Sequence, residues 1–181
     1  IVLAAATGQA ARQLVRILEE RGATLLLAGH DVDELRRQFP GHASCRYDQL
    51  AEQAAGFDQL VDLRGLDHGT AGLLKGQPGD CEDFTAELAG QARRAGVTQL
   101  VAVVPLRFDK RTFITALPAT MAEWVTVVIP VVDCSQPRGG LASLVSEFKS
   151  ALVPTLRIER LADFIQGEAF GRPTGAIVLT D

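Results

Sequence analysis

The chain predicts an α/β fold, a mostly parallel sheet with helices on both faces, and three observations carry that prediction. Ile1-Val2-Leu3-Ala4-Ala5-Ala6 and Thr24-Leu25-Leu26-Leu27-Ala28 are short apolar runs suited to strands buried on both sides, and one amphipathic stretch separates them. Short apolar runs and helical patterns then alternate to the end of the chain, with no internal repeat beyond that alternation. Finally, 181 residues with a hydrophobic fraction of 47% and a net charge of −4 suffice for one domain with a substantial core.

The elements follow in order. After the first strand, Leu14, Val15 and Leu18 share one face of a helix, Arg12, Arg16, Glu19 and Glu20 fall on the wet side, and Arg21-Gly22 stops it. The second strand then makes a β-α-β unit with parallel strands. Asp31 opens a second helix with acidic residues in its first turn, ended by Pro40-Gly41. Residues 43–46 predict a third strand and 49–55 a short helix stopped by Gly56. Residues 57–64 form the next strand, at the position where such a sheet crosses back to its other half. Gly69, Gly72, Gly76, Pro78 and Gly79 predict loop through residue 81. A helix over 82–95 has Phe84, Leu88 and Ala92 on one face and ends at Gly96. Residues 100–104 give the fifth strand, closed by Pro105.

Beyond it, residues 107–111 are a charged loop, and 112–124 a helix bent or split by Pro118. The β-branched run 125–132 reads as a central strand with a bulge or end at Pro130. A turn over 137–140 leads to an amphipathic helix carrying Leu141, Leu144, Val145 and Phe148. Residues 155–160 predict an edge strand, 161–166 a helical turn and 174–179 the final strand. A strand at residue 1 and another almost at residue 181 predict one domain over 1–181 cut from a longer polypeptide.

Composition excludes several function classes. No Lys/Arg stripe accompanies the single Tyr and single Trp, so nucleic acid is not an expected partner. No apolar run approaches the ~20 residues of a membrane span, and no signal peptide is visible. Cys45, Cys81 and Cys134 lack C-x-x-C spacing, which predicts reduced thiols and a cytoplasmic setting. His30, His42 and His68 have no metal-ligand spacing, so no metal site is expected. Neither a G-x-S-x-G elbow nor a G-x-x-x-x-G-K-[ST] loop is present. Asp62, Asp67 and His68, at the end of a strand, are candidates for a general base; their ordinary reading is a solvated loop with a capping Asp. Cys134 reads as a small buried thiol rather than a nucleophile, and Asp109-Lys110-Arg111 as a solvated loop rather than a phosphate clamp.

Ala6-Thr7-Gly8 after the first strand, and Leu27-Ala28-Gly29-His30-Asp31 closing the second, resemble the opening of the short-chain dehydrogenase/reductase family. The resemblance implies a three-layer, mostly parallel Rossmann-like sheet, here truncated, with a dinucleotide over its first turn. That family's turn carries glycines spaced T-G-x-x-x-G-x-G or T-G-x-x-G-x-x-G, because side chains there would stand between backbone N–H groups and the pyrophosphate. Counted from Gly8, the next glycine positions hold Ala11 or Arg12 and then Leu14. Where the family has an Arg for a 2′-phosphate or an Asp for a ribose, this chain has His30 and Asp31. If a dinucleotide is bound, the resemblance implies Thr7, Gly8, His30 and Asp31 as its contacts and NADP(H) as the cofactor.

The same family reduces with a Tyr, a Lys four residues on, a Ser and commonly an Asn. Here the one tyrosine, Tyr47, is followed at that spacing by Ala51. Four residues before Lys75, Lys110 and Lys149 stand Ala71, Leu106 and Val145, and the chain contains no asparagine. The fifth strand, where the family places its Ser, runs out into Val104-Pro105-Leu106-Arg107. No catalytic residue is therefore assigned.

Residues 59–67, 99–104, and 117–124 leading into 129–133, are similar to the non-catalytic structural subdomain of polyketide synthase ketoreductases. That resemblance implies a silent scaffold within a megasynthase that performs NADPH-dependent ketoreduction. The scaffold would bind no cofactor itself, and its partner would be a neighbouring catalytic ketoreductase subdomain. The competing expectation is an atypical NAD(P)(H)-dependent short-chain reductase, or a nucleotide sensor that keeps Gly8 and the following helix as an anion site. A third is a regulatory module acting as a homodimer.

Overall fold

Strand β1 (Val2–Ala4) sends Val2 and Ala4 to one side of the sheet and Leu3 to the other, and all three are fully buried. Helix α1 (Gln9–Glu20) covers the Leu3 side with Ala11, Leu14, Val15 and Leu18. It stops where Gly22 adopts φ +78°, a left-handed ending that needs no Cβ. β2 (Leu26–Gly29) lies parallel to β1, Leu3 opposite Leu27. Gly29 closes it where a Cβ would come within 3.0 Å of Leu35 Cδ1, so helix α2 (Val32–Gln38) packs closely on the strand end. β3 (Ala43–Arg46), a 3₁₀ turn (Tyr47–Gln49) and α3 (Leu50–Gln53) follow. The computed structural model describes residues 1–63, 80–105, 125–129, 157–168 and 175–178.

β4 (Gln59–Asp62) returns to the far side of β1, Leu3 opposite Val61. α4 (Asp80–Arg94), β5 (Gln99–Pro105), β6 (Val125–Ile129), α5 (Ile158–Asp163), a π-helical turn (Phe164–Glu168) and β7 (Gly175–Val178) complete the described elements. The seven strands run in the order β3-β2-β1-β4-β5-β6-β7, every neighbouring pair parallel. This is the predicted three-layer, Rossmann-like arrangement. One apolar layer joins Leu3, Leu27, Val61 and Val101 to α1 and α5. The opposite layer joins Val2, Leu26, Leu60 and Leu100 to α3 and α4. Strict alternation on doubly covered strands explains why the sequence shows continuous apolar runs there.

Two expectations are corrected. Residues 158–160, expected in an edge strand, begin helix α5, because Ile158, Leu161, Ala162 and Ile165 recur at helical spacing and all four are buried. The helix expected from residue 82 begins at Asp80, which shortens the expected loop. The expected helix over 112–124, the amphipathic helix carrying Leu141 to Phe148, and the 137–140 turn lie outside the described residues, as does the Phe84 side chain.

Two buried polar side chains escaped the sequence reading. Gln59 Nε2 donates to Gln99 Oε1 at 2.8 Å and to the Ile165 carbonyl at 3.2 Å, tying the starts of β4 and β5 to the turn after α5. Both glutamines sit at the strands' N-terminal ends, opposite the end where open α/β sheets bind ligands.

Cys45 is buried on β3, and burial pushes its thiol up to about 11, with the nearby Asp48 carboxylate adding to the rise. The protonated form is thus favoured in the fold. This stabilisation is present below the ordinary thiol value of 9.0 and lost as pH rises from there towards about 11. At pH 8 Cys45 is therefore held as the unreactive thiol. Alkylation followed by peptide mass spectrometry should find Cys45 unmodified at that pH in the native protein and modified once urea unfolds it. Equal labelling in both states would contradict the burial.

Candidate functional site

β1 has β2 on one side and β4 on the other, with α1 packed on one face of the sheet and α4 on the opposite face. In open α/β sheets the crevice at this switch of strand order is where ligands bind. The turn from β1 to α1 leaves the sheet at this point. Ala5, its first residue, has φ +61°, the sole positive φ of a non-glycine residue among the described residues. An L-residue holds that conformation only when its surroundings impose it. The peptide joining it to Ala4 is anchored on both sides: the Ala5 N–H donates to the Ala28 carbonyl, and the Leu63 N–H donates to the Ala4 carbonyl, both at 3.0 Å.

Gly8 is the N-cap of α1, at φ −76° and ψ 169°, and its carbonyl accepts the Arg12 N–H at 2.9 Å. No side chain caps this helix end and no acidic residue occupies its first turn. The positive end of this twelve-residue helix is thereby left uncompensated by any capping side chain or first-turn carboxylate. Arg12 lies one turn in, its Nε donating to the Thr7 carbonyl at 3.3 Å. Ala11 is fully buried where α1 crosses the sheet.

These placements change how the turn is counted. It begins at Ala5, three residues before Gly8, and Ala11 follows three residues after. The spacing matches the glycine spacing of T-G-x-x-G-x-x-G, but Ala4 stands at its threonine position and Ala5 and Ala11 at its first and third glycine positions, so Gly8 alone of the four is present. Counting forward from Gly8 missed this; counting back three residues to the strand end would have found it. Alanine is an accepted third residue of such turns, where the requirement is close helix–strand packing. At the first position it carries the strain just described.

The other candidates are partly brought together. Thr7 is exposed beside Gly8. Asp31 caps α2, its Oδ1 accepting the Glu34 N–H at 2.9 Å, so part of its carboxylate is engaged by the fold. His30 is exposed, its ring edge-on to Tyr47 with centroids 4.7 Å apart. Asp62 is not in a solvated loop as its ordinary reading had it. It ends β4, 3% exposed, paired in register with Ala4 and Ala102, and it has partners within the protein. Asp67, His68, Cys134 and residues 109–111 lie outside the described residues. Among the described residues no group of three or more His, Cys, Asp or Glu could hold a metal ion, and no helix is long and apolar enough to cross a membrane.

No protein-family profile matches the chain, and no curated protein matches its sequence. Solved structures do match. UDP-N-acetylglucosamine 4-epimerase from Bacillus cereus aligns over 99% of this chain and 77% of its own, with TM-score 0.66 and 10% identity. WbmG of Bordetella bronchiseptica, solved with NAD and UDP, aligns over 99% and 72%, with TM-score 0.64 and 12% identity. MoeE5, solved with UDP-glucose and NAD, aligns over 99% and 75%, with TM-score 0.59 and 12% identity. At such identities the likeness is one of fold, and it spans nearly the whole chain.

Proposed function

We propose that this chain binds an adenine dinucleotide of the NAD(P) class across the β1–β4 switch point and works as a nucleotide-dependent module. The carrying observation is the Ala5–Gly8–Ala11 spacing, with Ala5 held at φ +61° and Gly8 at the uncapped start of α1. Support comes also from WbmG and MoeE5, which share the fold and were solved with NAD. Thr7 and Gly8 would offer backbone to the pyrophosphate, with the α1 N-terminus opposing its charge. His30 and Asp31 would border the half of the ligand that lies over β2. Bound nicotinamide would supply hydride exchange. Proton transfer by a Tyr–Lys pair is not available, since Tyr47 is the chain's one tyrosine and Ala51 stands four residues on. Binding and sensing fit these residues better than reduction of a carbonyl. Calorimetry of the purified chain with NAD⁺, NADP⁺ and NADPH tests the proposal; saturable binding of at least one is expected.

A second reading is a silent scaffold in a polyketide-type synthase, packed against a catalytic ketoreductase subdomain of the same polypeptide. The missing Tyr–Lys pair favours it, as do the sequence similarities over residues 59–67 and 99–104. On this reading residues 1–181 are one domain of a longer protein and bind no dinucleotide. Absence of saturable binding in the same calorimetry would leave the scaffold standing and remove the first reading.

A further inference from the structure

Among the described residues Asp62 is the one buried side chain that carries a charge, 3% exposed at the end of β4. It stands beside the β1–α1 turn. Asp62 is the register partner of Ala4, and the next residue, Leu63, donates its N–H to the Ala4 carbonyl at 3.0 Å, one residue before Ala5 turns away. Strand alternation puts Asp62 on the same face as Leu60, the face covered by α3 and α4. On that face the row through Asp62 reads Ala28, Ala4, Asp62, Ala102, whereas the row beneath it reads Leu26, Val2, Leu60, Leu100. Four neighbouring strands thus end in alanines around one carboxylate. Burying a charge is unfavourable, and an apolar side chain would complete this row without that penalty. The partners Asp62 has within the protein explain how the fold tolerates it, not what it serves.

A dinucleotide whose pyrophosphate sits at the start of α1 and which crosses the switch point carries its nicotinamide half past the end of β4. The oxidised nicotinamide ring is a cation and the reduced ring is neutral. We infer that Asp62 makes the site favour the oxidised dinucleotide over the reduced one, so that occupancy of this module reports the oxidation state of the dinucleotide pool. The inference rests on the nucleotide reading above. A charge shielded from water acts on a neighbouring charge with less screening than one on the surface. In its row Asp62 has only alanines beside it, so no bulky side chain of that row stands between the carboxylate and a ligand crossing the strand ends.

The test is calorimetry with NAD⁺, NADH, NADP⁺, NADPH and ADP-ribose on wild type and Asp62→Asn, each protein checked by thermal melting. Wild type should bind the oxidised member of a pair at least about fivefold more tightly than the reduced one, roughly what two opposite unit charges about 4 Å apart contribute in bulk water. Asparagine keeps the shape and removes the charge, so the preference should disappear in the variant. ADP-ribose, which lacks the nicotinamide, should bind both proteins alike. If Asp62→Asn melts early, Asp62→Thr, whose side chain suits a strand, is read in its place. Equal affinity of wild type for oxidised and reduced forms, or a preference that survives in the folded variant, overturns this inference and leaves the nucleotide reading intact. Failure of every ligand to bind wild type overturns both.

Discussion

Gly8→Asp is expected to abolish binding of NAD⁺ and NADP⁺, a loss of at least about 100-fold, while the melting temperature stays level or rises slightly. The two halves of that expectation come from the same geometry. At φ −76° and ψ 169° the Gly8 backbone lies in a region open to any L-residue, so aspartate meets no backbone strain there. Aspartate is also among the favoured N-caps, worth a few tenths of a kcal/mol over glycine. Its carboxylate would then accept the first-turn N–H groups that no side chain caps in the native chain. Those are the groups the proposed pyrophosphate site would use, and the new negative charge would repel the ligand; like-charge juxtaposition costs roughly several kcal/mol. A substitution that improves the helix and removes the ligand separates binding from folding. Calorimetry with differential scanning checks both. Undiminished dinucleotide affinity in the variant would place the ligand elsewhere.

Phe164→Ala should cost roughly 3–5 kcal/mol of stability. Phe164 is fully buried and belongs to the layer formed by Leu14, Val15 and Leu18 of α1 with Leu161 and Ile165. It stands in the π-helical turn, whose next residue gives its carbonyl to Gln59. Arg21 reaches the same unit from the end of α1, 2.8 Å from Asp163 and hydrogen-bonded to Gln166. That exposed pair contributes little by itself. Removing the ring leaves a cavity between α1 and the sheet that this hydrogen-bonded turn cannot readily collapse to fill. In a domain whose total stability is of order 5–15 kcal/mol, the urea midpoint should fall by a large fraction. A midpoint within error of wild type would mean that the α5 segment does not dock on α1 as described.

Fold class was legible because strands covered on both faces leave short apolar runs alternating with amphipathic stretches, and because Gly22, Gly41, Gly56 and Gly96 each mark a left-handed turn. The β3 boundaries at 43–46 and the return of β4 beside β1 followed from the same reading. The 158–160 segment misled because three residues of β-branched and charged character do not reveal a period; Leu161, Ala162 and Ile165 supply it only once the stripe is followed further.

Sequence by itself determined what chemistry is missing: a chain with no asparagine and one tyrosine lacking a lysine four residues on cannot assemble the familiar proton relay, wherever its elements fall. Tertiary structure decided where the turn starts and what surrounds it. Ala5 looks like one more strand residue until the fold sets it at φ +61°, its N–H bonded to the Ala28 carbonyl of β2. His30 and Tyr47 are distant in sequence until parallel register sets β2 and β3 ending side by side. Residue type is written in the chain, whereas backbone strain and the meeting of strand ends come from long-range pairing that no local window contains.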